Sequence, residues 1–196
     1  MEDLKEEKTV VLIKPDGIKR GLVGEIISQI EKRGLKIIAL DMIWATKSQI
    51  DSHYPKDKKW TKRLGEKTKA TYKKYGFDVK KELKTDDPEK IGRMVRSWLI
   101  DFLTSGPMIK MAVKGIHAID MVRKFCGNTI PAFAEMGTIR GDFSVDSPAA
   151  ANRGKRAVHN IVHASENQKE AENELKLWFS PEEIHDYKRA EEDIMF

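Results

Sequence analysis

The run Thr9–Ile13 (TVVLI), followed at once by Lys14-Pro15-Asp16-Gly17, limits this chain more than any other feature. Five β-branched or apolar residues without a break read as a buried strand, and Pro15 and Gly17 stop it from continuing. From Lys14 to Gly21 the residues Pro15, Asp16, Gly17 and Gly21 mark a turn. A helix is expected over 23–33, with Val23, Ile26, Ile27 and Ile30 on one face and Gly34 as its stop. A second strand covers Leu35 to Ala45. Thr46 or Ser48 can cap a short helix ending near Tyr54.

Residues 55–86 have weak apolar periodicity, many lysines and a break at Gly76, and read as a helical or irregular excursion. Asp87-Pro88-Glu89 then opens a strong helix, with a cap, a proline in the first turn and an acid near the positive helix end. Its stripe is Ile91, Met94, Val95, Trp98, Leu99 and Phe102, and Gly106-Pro107 ends it. Met108–Lys114 is a third strand and His117–Cys126 a short helix. Gly127–Met136 is a loop, and Thr138–Phe143 with Ser144–Val158 an extended connection. Ile161 and Val162 belong to a short fourth strand. Ser165 with Gln168 forms a capping box for a helix through Trp178, and Ser180-Pro181-Glu182-Glu183 repeats a helix-start signal. This order suits an α+β fold: a split βαβ arrangement with a four-stranded antiparallel sheet and helices on one face.

Bulk properties narrow the class. The 196 residues suffice for one domain with a substantial core, and a 40% hydrophobic, 34% charged composition is that of a soluble globular protein. No apolar run approaches the ~20 residues of a membrane span. The stretch Met1–Lys8 is charged throughout and is not a signal peptide, so the cytoplasm is the expected compartment. A single cysteine, Cys126, falls on an apolar helix face and reads as a buried structural thiol. The net charge of +5 is concentrated: residues 55–90 hold 13 Lys and Arg against 7 Asp and Glu, a surplus of 6. That is a lysine-rich solvated segment or, alternatively, a nucleic-acid-binding surface.

The chemistry sits in three segments. Asn160-Ile161-Val162-His163-Ala164-Ser165-Glu166 places a histidine at the end of an apolar run, just before a helix. Imidazole is nucleophilic at neutral pH and can carry a phosphoryl group. Lys14 in its turn and Arg140 in Gly137-Thr138-Ile139-Arg140-Gly141-Asp142-Phe143 supply the cations that phosphoryl transfer needs. There is no GxxxxGK[ST], no GxGxxG after a strand, no protein-kinase HRD or DFG set, and no Cys/His cluster for zinc. Of the five histidines (His53, His117, His159, His163, His185) only His163 lies in such a setting.

Together these segments resemble nucleoside diphosphate kinase, whose KPDG turn, GTIRGDF segment and NxxHxS segment occur here in family order. The resemblance runs from about Thr9 to Phe179 and implies a ferredoxin-like fold. It implies that His163 is phosphorylated and that Glu174, 11 residues on, hydrogen-bonds the other ring nitrogen. It makes Lys14, Arg123 and Arg140 the phosphate clamp, Thr129 a phosphate contact, Asn160 a contact to the sugar hydroxyl, and Tyr54 a residue lining the site. Ser165 either hydrogen-bonds Glu174 or caps the helix. Glu170 and Glu172 are left as solvated surface residues.

The chain departs from the family pattern at Glu166, where Asp is usual, and at Ala164, where Gly is usual. Counting back from Ser105 puts Val95 and Leu99 at the family's base-stacking phenylalanine and its leucine partner, and valine cannot stack like phenylalanine. A basic insertion at about 55–90, after Tyr54, and a short one at about 146–156 interrupt a single domain over 1–196, as in archaeal-type members. The activity implied is ping-pong transfer of a γ-phosphoryl group, usually from ATP with Mg²⁺, through His163 to a nucleoside diphosphate. The metal is held chiefly by the nucleotide, with no protein ligand. The resemblance further implies a homo-oligomer, hexamer or tetramer, with contacts at the loop around Pro131 and at Asp193–Phe196. The rival, a nucleic-acid-binding module of the same fold using residues 55–90, needs aromatics on the central strands, and TVVLI and MIKMAV have none.

Overall fold

The computed structural model describes residues 6–190 and 192–195, so Met1–Lys5, Glu191 and Phe196 lie outside it. Strand β1 (Glu6–Ile13) leads into a short helix α1 (Pro15–Lys19), α2 (Val23–Glu31), β2 (Lys36–Ile43) and α3 (Lys47–His53). Then come α4 (Lys58–Lys74), α5 (Val79–Leu83), α6 (Pro88–Leu103), β3 (Met108–Ile116) and α7 (Ala118–Cys126). The rest is α8 (Ile139–Phe143), α9 (Pro148–Arg153), β4 (Val162–Ala164), α10 (Gln168–Trp178) and α11 (Glu192–Met195), with single 3-10 turns at Pro131–Phe133 and Pro181–Glu183.

The four strands form one antiparallel sheet in the order β2-β3-β1-β4. Alternation along β1 divides its side chains between two cores. Val11 and Ile13 pack with Ile26 and Ile30 of α2 and Val122 of α7. Val10 and Leu12 pack with Ile50 of α3, Leu103 of α6 and Trp178 of α10. Helices therefore cover both faces of the sheet, not one. The unbroken apolarity of TVVLI is the reason, because a strand with an open face would alternate. Among the described residues, both faces of the inner strand β1 are covered and offer no platform for stacked bases.

Several local expectations change. The turn after β1 closes into α1, with Pro15 at the first helical position, where its missing N–H costs nothing. The connection over 138–158 is not extended: Thr138 Oγ1 caps α8 through Gly141 N–H, and Ser147 Oγ caps α9 through Ala150 N–H. Ser147-Pro148-Ala149-Ala150-Ala151 is a helix-start signal of the same kind as Asp87-Pro88. The cap of α10 is Asn167, whose side chain accepts from Glu170 N–H, so Ser165 is freed from that duty. The two start signals at Thr46 and Ser180 are complete capping boxes, with Gln49 and Glu183 as partners.

The basic segment is chiefly a 17-residue helix, α4, docked along α6. Its buried positions are Thr61, Gly65, Thr68 and Tyr72, a helical spacing filled with small and polar residues. The fit is close on both sides. A Cβ on Gly65 would lie 1.8 Å from Pro88 O, and one on Gly92 would lie 1.9 Å from Thr61 O. Asp57 caps α4 through Trp60 N–H, and Asp87 caps α6. Among the described residues no helix is long and apolar enough to cross a membrane.

Candidate active site

Pairing in the sheet brings the two most informative segments together. Leu12 of β1 stands opposite His163 of β4, two residues from Lys14. Directly opposed residues share a face, so His163 points with Leu12 toward α3 and α10. The turn before it is tight: Val162 N–H donates to Asn160 O at 2.7 Å across Ile161, whose φ is +70°. A β-branched residue at positive φ is strained and persists only where neighbours hold it. The KPDG segment does so. Lys14 N–H donates to Ile161 O at 2.8 Å, and Asp16 Oδ2 accepts from Ile161 N–H at 2.9 Å. Gly17 is required beneath it, because a Cβ there would lie 2.8 Å from Ile13 and 3.2 Å from Ile161 O.

The ring of His163 is fixed from behind. Its Nε2 meets Glu174 Oε1 at 2.7 Å, and Ser165 Oγ donates to Glu174 Oε2 at 2.6 Å while accepting from Val10 N–H at 3.2 Å. Of the two roles open to Ser165, the structure shows the hydrogen bond to Glu174. Burial pushes the Glu174 carboxyl up. Burial, with Lys14, Arg140 and Arg123 nearby, lowers His163 to about 3, so the ring is neutral at physiological pH. With Nε2–H given to Glu174, the lone pair of the neutral imidazole is on Nδ1. Nδ1 has no hydrogen-bond partner among the described residues.

In front of His163 is a cleft of about 640 Å³. Its lining includes Lys14, Tyr54, Val95, Leu99, Arg123, Thr129, Arg140, Asn160 and His163, so nearly every residue singled out from the sequence faces one space. Glu174 is the exception and stands behind the histidine. Lys14 is buried, donates to Asn160 Oδ1 at 2.6 Å, and is lowered to about 8 by burial and by Arg140. Asn160 Nδ2 donates to Thr129 O at 2.8 Å, so both ends of this amide hold the site together. Of the five N–H donors of a guanidinium, three from Arg140 go to the carbonyls of Asn160, Gly127 and Val162. Two remain for a ligand. Arg123, on α7, is exposed at the rim. Burial raises the Tyr54 hydroxyl, which stays a neutral donor. Cys126 is buried with its thiol raised to about 11.

Sequence reasoning missed three contributions. Leu64 and Lys67 of α4 line the same cleft, as does Arg156, just after α9. Positions 64 and 67, three apart, share one helical face, and that spacing was the available signal. His53 is the third: its ring lies edge-to-face on His163 with centroids 4.5 Å apart, and its Nδ1 is 3.3 Å from Glu174 Oε1. The lining of the cleft thus carries five cationic side chains (Lys14, Lys67, Arg123, Arg140 and Arg156) and no carboxylate. Such a cavity, walled by aliphatic side chains at Leu64, Val95 and Leu99, suits a polyanion with an apolar plate attached.

Comparison with known proteins agrees. The sequence model of the family described as nucleoside diphosphate kinase matches residues 7–69 and 87–184. A nucleoside diphosphate kinase of Pyrobaculum aerophilum is 46% identical over 178 residues, 91% of this chain and 97% of its own length. That of Pyrococcus abyssi is 38% identical, over 96% of this chain and 93% of its own. The crystal structure of an NDP kinase from Pyrobaculum aerophilum superposes with a TM-score of 0.90 at 44% identity, covering 93% of this chain and all of that one. A nucleoside-diphosphate kinase from Borrelia burgdorferi, a transition-state mimic with bound vanadate and ADP, superposes at 0.76 with 34% identity, covering 95% of each chain.

Proposed function

The chain belongs to the nucleoside diphosphate kinase family and is a nucleotide phosphotransferase, and from that premise we propose that His163 is the residue that carries the phosphoryl group. The observation that supports this best is its placement, with Nε2 tied to Glu174 and Nδ1 unpartnered at the wall of a cleft lined by cations. The Nδ1 lone pair attacks the γ-phosphorus of a nucleoside triphosphate. The bond to the β–γ bridging oxygen breaks, and its electrons leave with the diphosphate. A β-phosphate oxygen of a second nucleoside diphosphate then attacks the phosphohistidine. The P–N bond breaks and its electrons return to Nδ1.

Glu174 holds the productive tautomer and supports the positive charge the ring gains. Lys14, Arg123 and the two spare N–H groups of Arg140 neutralise the outer phosphate oxygens, where charge gathers in the transition state. Thr129 and Tyr54 supply further donors, Leu99 and Val95 flank the base, and Asn160 positions Lys14 and lies near the sugar. Weak base contacts suit one site that serves both half-reactions. The vanadate and ADP bound by the Borrelia burgdorferi enzyme support this reading of the cleft.

Mg²⁺ is proposed as the accompanying ion. It is a hard cation that keeps several waters and takes few protein ligands, and the absence of carboxylates among the cleft's lining residues fits an ion held by the nucleotide. The exposed carboxylate of Glu166 is the nearest one in sequence to His163. When bound, the ion neutralises phosphate charge. The domain reading is likewise proposed: one domain over 1–196, with insertions at about 55–90 and 146–156.

A homo-oligomer, hexamer or tetramer, is supported by exposed Leu40 and Met42 on the outer strand β2 and Trp44 just after it, and by exposed Phe133 and Met136 near Pro131. At the C-terminal segment Ile194 is exposed, and Phe196 lies outside the described residues. A cytoplasmic location is proposed with it. The test is incubation with γ-labelled ATP and Mg²⁺. Wild type is expected to take up an acid-labile, alkali-stable label that several nucleoside diphosphates discharge, and His163→Ala none. A wild type that takes no label overturns the assignment.

A further inference from the structure

Behind His163, three side chains able to ligate a metal ion, His53, His163 and Glu174, converge in a buried space, and phosphoryl transfer gives no role to His53. Glu174 Oε1 lies 2.7 Å from His163 Nε2 and 3.3 Å from His53 Nδ1, and the three atoms all lie within 4.8 Å of one another. The side chains of His53 and Glu174 are almost wholly inaccessible, at 1% and 5%. Trp178 Nε1–H donates to His53 Nδ1 at 3.4 Å, which puts the proton of a neutral His53 on Nε2. His53 Nδ1 and Glu174 Oε1 therefore face each other with no proton between them, an unfavourable contact where water is scarce.

We propose that His53, His163 and Glu174 form a binding site for a transition-metal dication, zinc foremost, which acts as a brake on the nucleophile. Two imidazoles and a carboxylate are a donor set that zinc accepts with a fourth position open, and one that Mg²⁺ does not favour. Tetrahedral zinc with bonds of about 2.0–2.2 Å needs ligand atoms roughly 3.3–3.5 Å apart. The pair His53–Glu174 already has that separation, at 3.3 Å, while the 2.7 Å contact of His163 must open slightly.

The site has its own entrance. A second cleft, of about 860 Å³, reaches all three residues and shares only Tyr54 and His163 with the phosphate cleft. Its walls carry both signs of charge, Glu166 and Glu170 with Lys56, Arg63, Lys169 and Lys176.

The consequence rests on His163 being the phosphoryl carrier. A neutral imidazole holds one proton. When that proton is on Nε2, Nδ1 can attack. A metal ion takes the Nε2 lone pair, so the proton must move to Nδ1, and the nucleophile is capped. No oxidant or co-reactant is needed, since the proton exchanges through solvent and the metal replaces the hydrogen bond to Glu174. Zinc loading and phosphorylation of His163 therefore exclude each other.

The test loads the intact protein with zinc chloride, removes the excess, then adds γ-labelled ATP and Mg²⁺. Phosphohistidine formation in wild type is expected to fall in proportion to zinc bound. His53→Ala should bind zinc at least about 10–100-fold more weakly, the scale on which even outer partners of a metal site act, and its labelling should no longer respond to zinc. Each variant is compared with itself, with and without metal, so a change in basal rate drops out.

Two readings on wild type need no variant: a tetrahedral absorption band with Co²⁺, and ¹⁵N shifts of His163 that move from the Nε2–H to the Nδ1–H tautomer on adding zinc. Zinc that fails to bind, binds equally to His53→Ala, or leaves the Nε2–H tautomer in place overturns the proposal. If no label appears even without zinc, it is the carrier role of His163 that falls, and the Co²⁺ and ¹⁵N readings still decide the metal site.

Discussion

The sheet and the α4–α6 pair solve the same packing problem with opposite materials. In the sheet, Val10, Val11, Leu12 and Ile13 send branched side chains alternately into two cores. Between α4 and α6 the contact is made by what is missing: Gly65 and Gly92 let each backbone approach the other's carbonyls, with Thr61 and Thr68 filling the seam. Side-chain volume stabilises the first region by removing apolar area from water. The second depends on close backbone approach, with α4 carrying lysines on its outer side. The first fixes where His163 and Lys14 meet. The second supplies one wall of the cleft, through Leu64 and Lys67.

The largest effect is expected in the sheet. Leu12→Ala empties a fully buried position opposite His163 and should cost about 2–5 kcal/mol, read as a shift in denaturant midpoint. If that loss proves small, β1 is not the centre of the core. A smaller and differently shaped effect is expected from Gly92→Ala, whose new methyl would sit 1.9 Å from Thr61 O. Overpacking of this kind costs about 1–3 kcal/mol. Hydrogen exchange should show it as lost protection confined to α4, while amides of β1 and β3 keep theirs. Uniform loss across the protein would mean that the two regions are one cooperative unit.

The smallest effect concerns Lys14, lowered to about 8 in the fold. It is charged below that value and loses its charge above it, so kcat/KM should be level below pH 8 and fall about tenfold per pH unit beyond. A bound phosphate favours the charged form, so kcat should hold to higher pH than kcat/KM. The stability sign is opposite. Between about 8 and 10.5 the unfolded chain binds the extra proton, so this group's penalty on folding fades as pH rises through that window. A kcat/KM profile with no alkaline limb would remove Lys14 from phosphate binding.

Most of the sheet was legible because its signals are local: unbroken aliphatic runs, Pro and Gly at the stops, capping residues before Ile50, Ile91 and the 3-10 turn at Pro181. The helices α8 and α9 were misread as extended because each is only five or six residues long, too short for a periodic stripe. The helix α4 was obscured for another reason. Its buried face is Thr61, Gly65, Thr68 and Tyr72, which apolar periodicity does not register, although the 3.6-residue spacing is there.

At the site, Lys14, Arg140 and His163 stood out because each lies in a short segment, KPDG, GTIRGDF or NIVHAS, that matches a family motif. His53 did not. Its role depends on α3 being laid across α10 so that its ring meets Trp178 and Glu174, a juxtaposition of residues over a hundred positions apart that no local pattern records. Arg140 was read as a phosphate ligand alone, and the structure adds three backbone carbonyls that it holds in place.

The central claim is that the phosphoryl group rides on His163 with the ring held by Glu174. It is tested most directly by identifying which nitrogen is modified, by alkaline hydrolysis of the labelled protein and chromatographic separation of the two phosphohistidine isomers. With Nε2 bound to Glu174 Oε1 at 2.7 Å, the account predicts the Nδ1 isomer alone, lost in His163→Ala. Recovery of the Nε2 isomer, or of label on another residue, would contradict it.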